Sequence, residues 1–354
     1  MKISVLTFSK EINFGANLQC YALCKTLQNM GHKVDIIDIQ LAPYSMSWYS
    51  AVFRIPRLWL FRQFRKQHLN IFTRHYNSVD ELKHDCPKSD LYIVGSDQVW
   101  NPGITKRLDP LVYFFSFLPV DARRISYAAS FGTETWQNPE LTDDVKRLLS
   151  KFEAVSVRED NAVQICKETF NVDATQVVDP TLLLTSYDDI CGKYNKYKEK
   201  NEIVYYEFIK DSVRRQIVLD FAVQQEIYPI YLHVNRSYTG FKCKQYVSVA
   251  GWLNKIRYAR IVVTSSFHCM VFCLIFHKKF VALPAFHGRN SRQKSLLRQL
   301  GLLNYFCDDT SKLEQTLKYA LETDIDYKDV DYKLGLERKY SLSFLNESIN
   351  KIDI

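Results

Sequence analysis

KISVLTF (residues 2–8), SKEINFG (9–15), ANLQCYALCKTLQNM (16–30), Gly31 and VDIIDI (34–39) follow one another at the N-terminus. The first and last pieces are short, apolar and rich in β-branched residues, which predicts strands. Between them, Leu18, Tyr21, Ala22, Lys25 and Leu27 mix an apolar face with a polar one, which predicts a helix over 16–30. Gly31 stands where a C-terminal cap would stop that helix. Strand, helix and strand in this order make a βαβ opening, so a parallel sheet is expected.

The same alternation continues outward. Strands are predicted at 91–94, 125–129, 154–157 and 175–178, with a helix over 160–168. Pro180 restricts Asp179 to extended backbone, and the chain then turns polar, as at a domain end. Residues 186–201 are rich in Tyr, Asp, Lys and Asn and suit a linker. A second series follows, with strands at 203–208, 230–234, 261–263 and 280–283. Helices are predicted from Asp211 to about residue 226, over 295–300 and over 334–349. At 354 residues the chain suits two α/β domains, here 1–184 and 185–330, closed by a C-terminal helix over 331–354.

Composition excludes wholesale disorder: 47% of residues are hydrophobic and 24% charged. The first eight residues are only strand length and lack a cleavage site, and no apolar run approaches the roughly 20 residues of a membrane span. A cytoplasmic protein is expected. The net charge of +8 favours an anionic partner without choosing among them. Nine cysteines include no CxxC pair, and Cys20/Cys24 and Cys269/Cys273 lie in apolar stretches, so buried thiols are expected and no metal site.

One segment stands apart. No acidic residue lies between Asp38 and Asp80, while Arg54, Arg57, Arg62, Arg65, Lys66 and Arg74 alternate with Trp48, Tyr49, Phe53, Trp59, Phe61 and Phe64. A peripheral contact of residues 53–76 with an anionic membrane is one reading, and a packed helix with a solvated basic face is the other. No motif supports nucleic-acid binding.

Ligands of open α/β sheets bind outside the carboxyl ends of the strands, and four polar loops fall there. Asn13 and Gly15 precede the first helix, where close backbone approach and a helix N-terminus suit a polar or anionic group. Ser96, Asp97 and Gln98, followed by Trp100 and Asn101, have the composition of a sugar-binding loop, or of a capped turn. Arg158 directly follows a predicted strand and requires an anion, either a ligand or one of Glu159, Asp160 and Asp179. His268, after Ser266, sits at a predicted helix N-terminus where an imidazole can serve as acid or base, or simply pack. Gly288, Arg289, Asn290 and Arg292 form a basic loop downstream.

Taken in order, these stretches resemble the polysaccharide pyruvyl transferase family. The resemblance rests on Asn13-Phe14-Gly15-Ala16-Asn17-Leu18-Gln19-Cys20-Tyr21-Ala22-Leu23, Val94-Gly95-Ser96-Asp97-Gln98-Val99-Trp100-Asn101 and Ile125-Ser126-Tyr127-Ala128-Ala129-Ser130-Phe131-Gly132. It continues through Ser156-Val157-Arg158-Glu159, Val178-Asp179-Pro180-Thr181-Leu182-Leu183 and Thr264-Ser265-Ser266-Phe267-His268. It implies a GT-B-like fold of two Rossmann-like domains with parallel sheets facing a central cleft, the C-terminal helix crossing back. It also implies phosphoenolpyruvate as donor substrate, no cofactor, and a sugar acceptor, often lipid-linked, that receives a pyruvate ketal during capsular, extracellular or cell-wall polysaccharide synthesis.

By the same resemblance His268 and Arg158 are the catalytic candidates. Arg158, Ser266, His268, Arg289 and Arg292 lie on the donor side, and Asn13, Gly15, Ser96, Asp97 and Gln98 on the acceptor side. Two positions depart from the family pattern: Ser266 stands where some members carry arginine, and Cys269 where glycine is usual. Two other readings compete, a glycosyltransferase of the same fold using a nucleotide sugar, and a glycan-binding protein without catalysis.

Overall fold

The computed structural model describes residues 1–39, 48–208, 211–232, 239–243, 246–285 and 290–351. In its first part β1 (Lys2–Leu6), β2 (Lys33–Ile39), β3 (Phe72–Tyr76), β4 (Leu91–Val94) and β5 (Arg124–Ser126) form one sheet, ordered β3-β2-β1-β4-β5. A parallel pair, β6 (Ser156–Val157) and β7 (Thr175–Gln176), lies beyond β5 and is bridged to it at Ile125 and Ala154. In the second part β8 (Glu202–Tyr206), β9 (Tyr228–Tyr231), β10 (Lys242–Cys243), β11 (Ile261–Thr264) and β12 (Lys279–Ala282) are ordered β10-β9-β8-β11-β12. All pairings in both sheets are parallel.

Counted from its own first strand, the second sheet repeats the order of the first. In each, the connections reverse between the first and fourth strands, which is where a doubly wound sheet opens a crevice at its carboxyl edge. That point lies at the ends of β1 and β4 in one sheet and of β8 and β11 in the other. β4 and β11 are buried along their whole length, as strands covered on both faces should be.

Helix α1 (Phe14–Asn29) starts two residues before the predicted 16, because Asn13 accepts a hydrogen bond from the Ala16 amide and caps it. Its buried surface runs from Phe14 to Cys24 without a break, so the expected polar face is absent there. Asn17 and Gln19 are tolerated inside because their amides donate to main-chain oxygens of Glu11, Asn13 and Ala16. Gly31 follows the helix at φ +89, a conformation that costs glycine little.

The predicted strand at 125–129 ends at Ser126, because Ala128 takes a left-handed φ of 54. The basic segment is also divided. Helix α2 (Trp48–His68) takes most of it, while Phe72–Tyr76 is the outer strand of the first sheet, where Arg74 pairs with Asp85. Phe61, Phe64 and Tyr76 are buried, so only part of the 53–76 segment is available to a partner.

Contacts divide the chain into one unit of Met1–Ser45, Gln67–Leu184 and Gly335–Ile354, and another of Met46–Lys66 and Thr185–Leu334. Most of α2 therefore groups with the second unit, although the sequence places it within 1–184. The helix Tyr327–Asn350 begins in the second unit and ends in the first. In the first, Ser341 accepts a hydrogen bond from the Val178 amide at 3.0 Å and Arg338 donates to the Leu182 carbonyl at 2.7 Å. No helix among the described residues is long and apolar enough to cross a membrane.

Candidate functional site

The carboxyl edge of the first sheet is closed by a buried ion cluster. The Arg158 side chain, 2% exposed, donates to Asp179 at 2.7 Å and lies 3.8 Å from Glu159 and 3.9 Å from Asp97. Burial pushes the Arg158 pKa down, but Asp179, Glu159 and Asp97 outweigh it and hold the value above that of an ordinary guanidinium. Thr181 donates to Asp179 through both its amide and its hydroxyl, and Ser130 donates to Glu159 at 2.7 Å. The same burial, aided by the Asp179 charge, raises the Tyr127 phenol well above its usual range.

The loop after β4 is fastened into this cluster. Ser96 donates to Asp179 at 3.1 Å and accepts from Arg158 at 3.3 Å, while its carbonyl accepts from Thr7, which in turn accepts from Gln19 of α1. Asp97 takes φ 77, which aspartate tolerates better than most residues, and its side chain accepts from the Gln98 amide. Gly132, at φ +69, leaves room for the Gln98 side chain, whose Oε1 would lie 2.2 Å from a Cβ there.

Several sequence expectations change here. Trp100 is fully buried, stacked on Phe114 with centroids 5.4 Å apart, and donates to the Tyr113 carbonyl, so it offers no ring face to a sugar. Ser96 and Gly15 are buried too, which leaves Asn13, Gln98 and the edge of Asp97 as the candidates with accessible surface.

The second sheet presents a different edge. Thr264, at the end of β11, donates to the Tyr206 carbonyl and accepts from the Ser266 amide. Ser265 accepts from the Phe208 amide, so the ends of β8 and β11 are tied by hydroxyls. Ser266 then caps the helix Phe267–Ile275, accepting from the Cys269 amide. His268, buried as Ser266 is, is the second residue of that helix, where the end of the helix dipole favours a negative ligand.

The Phe267 ring brings two of the candidates together. His268 packs edge-on against it at 5.3 Å, and the Arg292 guanidinium lies 5.8 Å from its centroid, close enough for a cation–π contact. Arg292 is carried there as the second residue of the helix Ser291–Leu300. The structure thus assembles Ser266, His268 and Arg292 within one unit, whereas Arg289 lies outside the described residues. Cys269 points inward, fully buried beside Cys273, whose thiol pKa is pushed up by burial and by its hydrogen bond with Cys269. Its side chain therefore does not intrude on the loop. All nine cysteines are free thiols.

A neighbouring group was not foreseen. Glu207, directly after β8 and buried, accepts from Tyr205 at 2.7 Å, Tyr231 at 2.9 Å and Arg215 at 2.6 Å. Burial and the Glu207 charge raise the Tyr205 phenol far above its usual range. The available signal was a carboxylate inside the otherwise apolar predicted strand 203–208, which in the structure ends at Tyr206.

The polysaccharide pyruvyl transferase family model matches residues 13–285, from the α1 cap to the loop before Arg289. No curated protein sequence matches. Among solved structures, the UDP complex of MnaA from S. aureus is 12% identical with a TM-score of 0.60, covering 99% of this chain and 97% of its own. A putative UDP-N-acetylglucosamine 2-epimerase from Listeria monocytogenes is 9% identical with a TM-score of 0.63 and the same coverage. The UDP-GlcNAc 2-epimerase of Methanocaldococcus jannaschii is 10% identical with a TM-score of 0.57, covering 95% and 99%. At such identities these likenesses show the fold alone, the GT-B type with two Rossmann-like units. The family match covers most of the sequence and carries the motifs at both sheet edges: this chain belongs to the polysaccharide pyruvyl transferase family.

Proposed function

We propose that this protein transfers pyruvate from phosphoenolpyruvate to a pair of hydroxyls on one sugar and closes a ketal, within the synthesis of a capsular, extracellular or cell-wall polysaccharide. The observation that carries the reading is the grouping of Ser266, His268 and Arg292 about Phe267 at the carboxyl edge of the second sheet, in a chain of this family.

In the scheme, His268 gives a proton to the methylene carbon of the donor, which becomes a methyl group. Cationic character develops at the central carbon, and a first sugar hydroxyl adds there. A second hydroxyl of the same sugar then displaces phosphate, so two carbon–oxygen bonds to sugar form and one to phosphate breaks. One hydroxyl proton returns to the imidazole and the other leaves with the phosphate. Arg292, with Arg289, neutralises the donor carboxylate and phosphate, and the amides at the start of the helix Phe267–Ile275 add to that field. Arg292 thereby supplies the cation that Ser266 does not. No metal or cofactor enters the scheme.

Arg158, expected from the sequence as a catalytic and donor-binding residue, is buried against Asp179, and in this reading it acts instead as a positioning residue. It fixes the loop 94–101, from which Asp97 and Gln98, with Asn13, meet the acceptor, a lipid-linked saccharide at the cytoplasmic face of a membrane.

Phosphate release from phosphoenolpyruvate is the test, run with free and lipid-linked galactose- and mannose-type acceptors. Acceptor-dependent release is expected, and His268→Ala should reduce it by roughly 10²–10⁴-fold with its circular dichroism unchanged. Binding of a nucleotide sugar with no release from phosphoenolpyruvate would move the reading to glycosyl transfer. Glycan binding unchanged by His268→Ala, again with no release, would leave a binding protein.

A further inference from the structure

The geometry points to the outer side of α2 as a docking face for an anionic lipid surface. At 3.6 residues per turn, Leu58, Arg62, Ile55, Lys66 and Trp59 fall within an arc of about 100°. Ile55 is 61%, Leu58 42% and Trp59 59% exposed, and Arg62 and Lys66 are exposed beside them. Phe61 and Phe64, on the opposite side, are buried.

Burial of one side leaves an amphipathic helix turned outward, with its second apolar patch in water. Single exposed apolar residues are ordinary, but three on adjacent turns, followed on the same face by two cations, form a patch. Charge selects the occupant. Helix α2 holds five arginines and lysines and no acidic residue, and no acidic residue occurs from Asp38 to Asp80. An interfacial helix needs this pairing: apolar side chains, with an aromatic among them, entering the acyl boundary, and long cationic side chains reaching the phosphates. Helix α2 is not apolar enough to cross a bilayer, so it would lie in the headgroup plane.

The full chain is sedimented with vesicles of phosphatidylcholine alone and of phosphatidylcholine mixed with phosphatidylglycerol. Binding is expected to the mixed vesicles and to fall as salt is raised. Arg62→Gln and Lys66→Gln should each weaken it on the order of fivefold. Trp59→Ser should weaken it as well, with unfolding temperature and far-ultraviolet spectrum unchanged. Equal binding to both vesicles, or to neither, overturns the proposal, as does full binding by a variant that combines Trp59→Ser, Arg62→Gln and Lys66→Gln. A lower oligomeric state of Trp59→Ser in light scattering, without lipid binding, gives the face to a second copy of the chain and also overturns it. The assay uses neither donor nor acceptor, so its failure leaves the reading of the reaction where it stood.

Discussion

At the carboxyl edge of the first sheet one guanidinium, Arg158, sits among three carboxylates, all of them buried or nearly so. At that of the second, Arg215 shares the single carboxylate of Glu207 with two phenols, and the next loop presents His268 at a helix start. The strand order is the same in both. Topology thus gives the two sheets the same edge, and side-chain chemistry makes the two edges different. The first edge spends its charges on itself. The second satisfies its strand ends with hydroxyls and keeps an imidazole and a guanidinium on one aromatic ring.

The sharpest way to break this contrast is to remove the two arginines in turn. Arg158→Met leaves Asp97, Glu159 and Asp179 together in a low-dielectric site with no cation, so it should cost about 3–5 kcal/mol. Chemical denaturation measures the loss. If Arg158→Met unfolds at the same denaturant concentration as the parent, the cluster is not what holds this edge.

Arg215→Met should cost less, about 1–3 kcal/mol, since Tyr205 and Tyr231 still donate to Glu207 after the guanidinium is gone. A loss equal to that of Arg158→Met would erase the proposed difference between the edges.

How much of this was legible in the sequence follows from what each feature depends on. The β1–α1–β2 opening is local: β-branched runs and a capped helix declare themselves within 40 residues. The strand Phe72–Tyr76 was hidden because it alternates only weakly and carries Thr, Arg and His at the sheet's edge. Trp100 was misread because a polar loop says nothing of what lies beneath it, here Phe114 and Phe131. The Arg158 cluster was half visible, Asp179 and Glu159 being named as partners, but the shared role of Asp97 depends on a left-handed backbone that composition does not announce. Glu207 was missed because its donors meet only when β8 pairs with β9 and sets Tyr205 beside Tyr231. His268 and Ser266 drew notice as polar groups at a predicted helix start, whereas Arg292 was read in a basic loop because the helix was expected only from 295 and begins at Ser291.

The smallest expected effect concerns backbone strain. Asp97 and Ala128 both take left-handed φ at the first edge, whereas among the described residues none of 203–208 or 261–268 does. Glycine relieves such a conformation by about 1–2 kcal/mol, but it adds about 0.4–1 kcal/mol of unfolded-state entropy and gives up a buried methyl worth about 0.8 kcal/mol. For Ala128→Gly these terms nearly cancel, and the change in stability should stay within about 1 kcal/mol of zero. Ala282→Gly, at the buried end of β12, incurs the same two losses with no strain to relieve. It should therefore be less stable than Ala128→Gly by about 1–2 kcal/mol, a difference that paired denaturation curves resolve. Equal losses would mean that the left-handed turn at Ala128 stores nothing, and that the first edge differs from the second in its charges alone.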